Sequence, residues 1–178
     1  MPLSSFVLQP FDHVPGTSFC LTGSLSRQGS ALHVRYTLTG ALEALCLPPP
    51  AASPERRDNL WQESCFEFFF AEEGEEAYRE VNIAPSGHWN VYCFDCYRRG
   101  MRQAGEVLSL DCRISRESRR FTLEATLDPG KTGFAGKSLR AGISAVLLAR
   151  DNSMSYWALA HPGEKPDFHD RRGFLLRL

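Results

Sequence analysis

The sequence lacks an excess of charge of either sign and lacks long apolar runs. Its 20 basic and 21 acidic residues give a formal net charge of -1, so no strongly basic surface points to nucleic acid or to an anionic membrane. No apolar run reaches the roughly 18 residues of a transmembrane helix. The first residues, MPLSSFVLQPFDHVPG, have no basic leader and no small-residue cleavage site, so we expect a cytoplasmic protein.

Cysteine is scarce and scattered. The chain has 6 cysteines, which we expect to be small apolar side chains in a reducing compartment. The one motif-like pair is CFDC, from Cys93 to Cys96. It lies in a predicted strand, where positions three apart face opposite sides of the sheet. A metal or redox site needs both sulfurs to converge, so we predict neither here.

The carboxyl-terminal segment HPGEKPDFHDRRGF contains residue types that bind metals. His161, Asp167 and His169 are the candidates, but a metal site requires them to converge on one point. Pro162 and Pro166 lie between them and favour a stiff loop in which the Asp167 side chain bonds to backbone. We therefore predict no metal site in this segment.

Helical periodicity is also scarce, whereas short apolar or alternating segments bounded by Gly, Pro, Ser and Asn recur throughout. This spacing predicts one all-β domain over residues 1–178, an antiparallel β-sandwich of jelly-roll or immunoglobulin-like type. A long proline-rich surface loop is expected at 47–59, and short helical turns at 97–105 and 134–142. The predicted strands are Ser5–Gln9, Ser18–Ser26, Leu32–Thr39, Ala44–Leu47, Ser64–Ala71, Ala77–Ile83, His88–Cys96, Val107–Ile114, Arg120–Leu127, Gly142–Arg150, Tyr156–Leu159 and Gly173–Leu178.

The stretch DNLWQESCFEFFF combines aromatic and acidic residues in one predicted strand. Alternate side chains of a strand share a face, so Phe66, Phe68 and Phe70 form a stripe that we expect to face the core. If the strand extends back to the tryptophan, the opposite face carries Trp61, Glu63, Cys65, Glu67 and Phe69.

Two further segments continue this polar pattern. In YREVNI, Tyr78, Glu80 and Asn82 share one face, and ARDNSMSYWALAHP places Trp157 and His161 on a common side. If Trp157 lies near the first tryptophan, a polar groove with tryptophan walls results. Sugars stack apolar C–H faces on indole rings and bond through hydroxyls, so the groove would suit a carbohydrate. The alternative is a solvent-exposed sheet face, which antiparallel sheets often have.

Three segments, LWQESCFEFFF, YREVNIAPSGHWNVYCF and SYWALAHPGEKPDFHDRRGF, resemble the DOMON-like sandwich superfamily, close to the family-nine carbohydrate-binding modules. The chain is most similar to a DOMON-like group of mostly uncharacterised bacterial proteins, from about Arg57 to the carboxyl end. In the sugar-binding modules of that superfamily, two tryptophans sandwich the terminal sugar while carboxylates, amides and basic groups bind its hydroxyls.

The resemblance implies a set of ligand contacts in this chain. Trp61 and Trp157 would be the walls, and Glu67 would accept hydroxyl hydrogen bonds. Arg79 would supply a basic contact, although the alternation of side chains along its strand places it on the face opposite to that of Glu80. The sequence pattern, rather than the resemblance, adds Asn82 and Arg150 as candidates, with His161 at the rim of the groove.

The sequence and the resemblance together predict a non-catalytic module that binds a saccharide or similar polar metabolite between tryptophans. We expect no cofactor, no nucleic-acid partner and no membrane partner; oligomeric state stays open. One alternative is a haem-binding or redox DOMON module using Met101 or Met154 with a histidine. Another is a glycosidase-like enzyme using two of Glu63, Glu67 and Glu80. A third is a surface that binds a peptide or protein through its tryptophans.

Overall fold

The computed structural model describes residues 3–12, 19–128 and 133–178, which form two antiparallel sheets. The strands are β1 (Ser4–Val7), β2 (Gln9–Pro10), β3 (Cys20–Gln28), β4 (Ala31–Thr39), β5 (Cys65–Glu72), β6 (Tyr78–Ile83), β7 (Trp89–Phe94), β8 (Arg102–Gln103), β9 (Asp111–Arg116), β10 (Arg120–Leu127), β11 (Leu139–Leu148), β12 (Met154–Ala158) and β13 (Leu176–Arg177). The five-stranded sheet has the order β1-β3-β4-β10-β9. The eight-stranded sheet has the order β2-β12-β11-β5-β6-β7-β8, with β13 paired to β11. The predicted all-β antiparallel sandwich is therefore confirmed.

The five-stranded sheet is buried on one face only. Along β4, Leu32, Val34, Tyr36 and Leu38 are buried whereas the intervening residues are partly or fully exposed. This alternation is typical of an antiparallel sheet with one wet face. The outer face of this sheet is therefore polar.

The strands β5, β6 and β7 of the eight-stranded sheet are buried on both faces. The predicted stripe of Phe66, Phe68 and Phe70 is at most 1% exposed, which confirms its place in the core. The opposite face of β5 is also covered, since Phe69 is 1% exposed. A second apolar group, here called the outer cluster, packs on that face and contains Phe69, Ala71, Tyr78, Tyr92, Phe94 and Phe174, with Trp61 and Phe168 against it.

The two sheets meet at an aromatic stack. Phe66 of β5 stacks on Phe121 of β10, with ring centroids 5.3 Å apart and planes at 9°. Tyr36 of β4 packs on the same Phe66 ring at 5.2 Å, and its hydroxyl donates a 2.6 Å hydrogen bond to the backbone oxygen of Glu67. These contacts join the sheets and set which face of β5 points inward.

Several local predictions need correction. The strand expected at Ala44–Leu47 is wrong: Leu42–Ala44 is a 3₁₀ helix and Leu45 makes only an isolated bridge to Ala149. The prolines from Pro48 onward have no N–H to donate to a ladder, which ends any strand there. Trp61 also lies outside the strand, in the 3₁₀ helix Leu60–Gln62, because β5 begins only at Cys65.

One predicted turn is confirmed and two predicted helical turns are wrong. The hairpin of β6 and β7 forms as predicted, with Gly87 at φ 87° in its turn. The helical turns expected at 97–105 and 134–142 are wrong, since the first range contains β8 and the second contains the start of β11. Within the described ranges, no helix is long and apolar enough to cross a membrane.

Replacing Phe66 tests the joint between the sheets. We expect Phe66→Ala to lower the free energy of unfolding by about 3–5 kcal/mol, because it removes a fully buried ring and leaves a cavity. Urea unfolding measures the loss. Leu108→Ala, at a side chain 82% exposed, should change stability by less than about 0.5 kcal/mol; equal effects of the two substitutions would contradict this role for Phe66.

Candidate ligand cavity

A cavity of about 360 Å³ lies on the outer face of the eight-stranded sheet. Its lining combines aromatic rings, apolar side chains and titratable groups: Trp61, Glu67, Glu80, Phe94, Arg98, Met101, Val146, Tyr156, Pro166, Phe168 and His169. A small-molecule site is typically a pocket of about 300–1,000 Å³ with mostly apolar walls and a few directed polar groups. This cavity has that composition and size.

Strand register brings polar side chains together in the centre of the sheet. Glu67 of β5 lies opposite Ser144 of β11 on one side and Asn82 of β6 on the other. All three are at most 2% exposed. The Ser144 hydroxyl donates a long 3.4 Å hydrogen bond to Glu67 Oε2, whereas Glu67 Oε1 has no partner among the described residues. A buried carboxylate oxygen without a donor is costly, and this one belongs to a residue that lines the cavity.

Glu80 is the second buried carboxylate of the cavity. It is 5% exposed, and the Asn82 side-chain amide donates to its Oε1 at 2.9 Å. Burial raises the pKa of Glu80 to about 7, against the opposing effects of the Asn82 hydrogen bond and the charge of Arg98. Burial and, next, the charge of Glu80 also raise the pKa of Glu67 well above its usual range. The pair therefore retains protons at pH values where an exposed carboxyl group has lost its own.

His169 is held beside Glu80 by a hydrogen bond to Tyr78. The Tyr78 hydroxyl accepts a 3.2 Å hydrogen bond from the Arg98 backbone N–H and lies 2.7 Å from His169 Nδ1, with which it shares a hydrogen bond. His169 Nε2 lies 3.9 Å from Glu80 Oε2. Burial and the charge of Arg98 lower the pKa of His169 to about 4, so the ring is neutral at pH 7.

Two polar contacts connect the segments at the cavity mouth. The Arg98 guanidinium pairs with Asp167 at 2.8 Å, and the Tyr97 hydroxyl donates to the other Asp167 oxygen at 2.5 Å. Asp167 also accepts from the His169 backbone N–H at 3.1 Å, as the loop interpretation of this segment predicted. Within the described ranges, no group of three or more His, Cys, Asp or Glu residues is placed to hold a metal ion.

Trp61 is held at the cavity by a hydrogen-bonded loop. Asp58 Oδ1 accepts from the Tyr92 hydroxyl at 2.6 Å and from the side chains of Asn90 and Gln103, each at 2.9 Å. The Tyr92 ring then packs edge-on against Trp61, with centroids 5.7 Å apart. The Asp58 carboxylate thus anchors the segment that carries the tryptophan.

The structure brings only part of the predicted site together. Trp61 and Glu67 line the cavity with Glu80, and Asn82 lies buried beside Glu80. Their role in binding a ligand stays a prediction. Glu63 is exposed and is not part of the cavity lining.

Trp157 does not form the second wall, and its predicted placement is wrong. It pairs with Ala145, which lies opposite Phe66 on the core face, and it is 6% exposed within the main core. Its neighbour Tyr156 faces the cavity instead. The prediction assigned the wrong face of β12 to the cavity, because a shift of one residue exchanges the two faces of a strand.

The remaining predicted contacts also lie outside the cavity lining. Arg79 pairs opposite Phe70 and lies over the ring of Phe134 at 5.2 Å. The Arg150 guanidinium donates to the Glu43 backbone oxygen at 2.8 Å. His161 Nε2 lies 2.9 Å from the Gln9 backbone oxygen, and its ring packs edge-on against Phe11.

Sequence reasoning missed most of the aromatic and cationic lining. Phe94, Arg98, Met101, Tyr156 and Phe168 belong to β7, β12 and two loops. Parity on β12 could have identified Tyr156 had the register been known. The loop residues carried no local signal, since their approach depends on the Arg98–Asp167 pair.

Comparison with known proteins establishes the fold. A candidate carbohydrate-binding protein from Bacteroides uniformis ATCC 8492 is similar at 14% identity and a TM-score of 0.69, over 97% of this chain and 84% of that one. A family 9 carbohydrate-binding module from Caldicellulosiruptor kristjanssonii is similar in its cellotriose complex at 10% identity, with a TM-score of 0.55 over 88% of this chain and 72% of that one. Its glucose complex gives 12% identity and a TM-score of 0.56, over 88% and 74% of the two chains.

No protein-family model matches the chain, and no curated protein matches it. The sandwich is thus of the carbohydrate-binding-module type, and identities this low establish the fold alone. Membership of the DOMON-like bacterial group stays a prediction.

The pKa of Glu80 predicts how stability depends on pH. Its folded-state value of about 7 exceeds the ordinary 4.5, so the folded state binds this proton more tightly. The stabilisation is present at low pH and is lost as pH rises through that window. Compared with Glu80→Gln, the wild type should lose on the order of 3 kcal/mol over the window, measured by urea unfolding at a series of pH values.

Two comparisons control this prediction. His169 has a lowered pKa and changes stability in the opposite direction, but it is present in both proteins and largely cancels in the difference. Glu63→Gln removes an exposed carboxylate and should follow the wild type at every pH. Parallel curves for wild type and Glu80→Gln would show that Glu80 titrates normally.

Proposed function

We propose that the cavity binds a saccharide or a similar polar metabolite and that the protein is a non-catalytic binding module. The observation that carries the proposal is the meeting of half-buried aromatic rings with two buried carboxylates in one cavity. Aromatic faces accept the apolar C–H face of a sugar ring, and carboxylates accept hydrogen bonds from its hydroxyls. The similar family 9 module was crystallised with cellotriose and with glucose, which supports the same ligand class here.

The proposed site has one tryptophan wall instead of the two that the sequence analysis predicted. Trp61 supplies one aromatic wall, and Tyr156 and Phe168, whose rings lie 6.2 Å apart, supply the other side. Glu67 and Glu80 provide acceptors at the floor. The Glu67 oxygen without a partner is the group that gains most from a ligand donor, because an unsatisfied buried acceptor costs about 1–3 kcal/mol.

Trp61 provides both a fluorescence signal for ligand binding and a position at which substitution tests the site. Trp89 and Trp157 are buried, at 5% and 6% exposure, whereas Trp61 is half-buried at the cavity. Titration with a panel of mono- and disaccharides should therefore shift tryptophan emission through Trp61. Trp61→Ala should weaken binding roughly tenfold or more by calorimetry, since an aromatic contact contributes about 0.5–1.5 kcal/mol beyond its buried area.

Val7→Ala is the matched control, because this exposed side chain lies on β1 of the other sheet. It should leave both the affinity and the fluorescence change unaltered. If no saccharide of the panel binds the wild type, or if Trp61→Ala binds as tightly as the wild type, the proposed site is wrong.

Hydrolysis of the bound saccharide is the second candidate function. Two buried carboxylates with raised pKa values in one cavity are the groups that a glycosidase uses. Release of nitrophenol from aryl glycosides that is abolished by both Glu67→Gln and Glu80→Gln would favour an enzyme. Binding without turnover would favour the module.

We propose that the protein binds without a cofactor. The haem alternative has one favourable observation, since Met101 and His169 line the same cavity. Against it, His169 Nδ1 already shares a 2.7 Å hydrogen bond with the Tyr78 hydroxyl, and two carboxylates occupy the floor. A Soret band in the purified protein would favour the haem alternative.

A further inference from the structure

We propose that the ligand is an amino sugar, whose ammonium group pairs with Glu67 and Glu80 at the floor of the cavity. This inference rests on the proposed function and narrows its ligand class. It follows from the charges and hydrogen-bond acceptors that the cavity presents.

The carboxylates of the cavity have no free cation beside them. Arg98 is the one fixed cation among the described lining residues, and its guanidinium already pairs with Asp167 at 2.8 Å, with half of its side chain exposed. His169 is neutral at pH 7 because burial and the charge of Arg98 lower its pKa to about 4. The Arg98 charge acts on Glu80 while it is paired with Asp167, so one shared cation faces two buried carboxyl groups.

The carboxylate oxygens also have few donors. Glu67 Oε1 has no close donor within the described part of the chain, and the Glu67 carboxyl group interacts only with the Ser144 hydroxyl, 3.4 Å from Oε2, and with the weakly donating Cys65 thiol. Glu80 Oε1 accepts from Asn82, while Glu80 Oε2 is 3.9 Å from the nearest His169 nitrogen, beyond hydrogen-bond distance. An ammonium group supplies three N–H donors and a positive charge, whereas a hydroxyl supplies one donor and no charge.

The thiol and phenol groups around the pair cannot supply a positive charge, since they are either neutral or negative. Cys65, Tyr36, Tyr78 and Tyr92 interact electrostatically with one or both carboxylates, and burial raises the pKa of each. All four are therefore neutral at pH 7. Two buried carboxyl groups in this setting must hold a proton or a cation, so an ammonium ligand would replace protons that these groups otherwise hold.

The aromatic lining favours the same ligand. A cation close to the face of Trp, Tyr or Phe is attracted by the ring, and Trp61, Tyr156 and Phe168 line the cavity. The sugar ring and its ammonium group would therefore use the same walls. The aromatic rings add to the attraction for a cation, which comes first from the two carboxylates.

Calorimetry on the full chain tests the proposal with matched compounds. Glucosamine, galactosamine and mannosamine are each compared with the parent neutral sugar and with the N-acetyl derivative, which keeps the nitrogen but loses the charge. At least one amino sugar should bind roughly tenfold or more tightly than both of its neutral partners, as expected for a charge-assisted hydrogen bond in a buried site. Titration in buffers of different ionisation enthalpy should show net proton release on binding.

Two variants assign the effect to the floor of the cavity. Glu67→Gln keeps the shape of the side chain and should abolish the preference for the amino sugar over its neutral partner. Glu63→Gln removes an exposed carboxylate in the same segment and should retain the preference. Thermal unfolding of both variants verifies that they are folded.

The outcomes separate this inference from the function on which it rests. If neutral sugars bind as tightly as their amino forms, or if Glu67→Gln keeps the preference, the amino-sugar inference is overturned and the saccharide module stands. If no sugar of either kind binds, the proposed function falls, and the inference falls with it. Cyclohexylamine has a six-membered ring and an ammonium group without hydroxyls; if it binds as tightly as the amino sugars, recognition is of an organic cation and the saccharide function is overturned.

Discussion

The inward orientation of Phe66 is the constraint on which the rest of the structure depends. Its ring lies between Tyr36 and Phe121 of the opposite sheet, and the Tyr36 hydroxyl bonds to the next backbone carbonyl along β5. A slip of one residue would exchange every side chain of β5 between the faces. With Phe66 in the core, Glu67 must lie on the outer face, where the cavity is.

A further apolar layer covers the outer face of the eight-stranded sheet. Phe69 lies two residues after Glu67 on the same face of β5 and packs in the outer cluster with Tyr78 and Phe174. This apolar cover removes water from the two carboxylates and raises their pKa values. Burying acidic groups is unfavourable for stability, and a protein tolerates such a conflict most readily where a ligand relieves it.

Polar contacts at the edge hold the cover in place. Asp58 anchors the tryptophan segment through Tyr92 and Asn90, and Asp167 joins the turn at Arg98 to the loop that carries His169. Strands thus supply the floor of the cavity, and loops supply its walls together with Tyr156 of β12. Sheet register therefore sets the floor of the cavity, and loop contacts set most of its walls.

The sequence by itself determined the all-β class, most strand positions, the buried phenylalanine stripe and the opposite orientation of Glu67, because these depend on a period of two along each strand. It could not determine that the face bearing Glu67 is covered, since alternation looks the same whether a polar face meets water or another layer. Only the tertiary structure decided that Tyr156 rather than Trp157 faces the cavity, because that depends on the register of β12 against β11. It also decided that His169 and Arg98 meet Glu80 there, because the approach of these two residues depends on loop contacts between segments far apart in the chain.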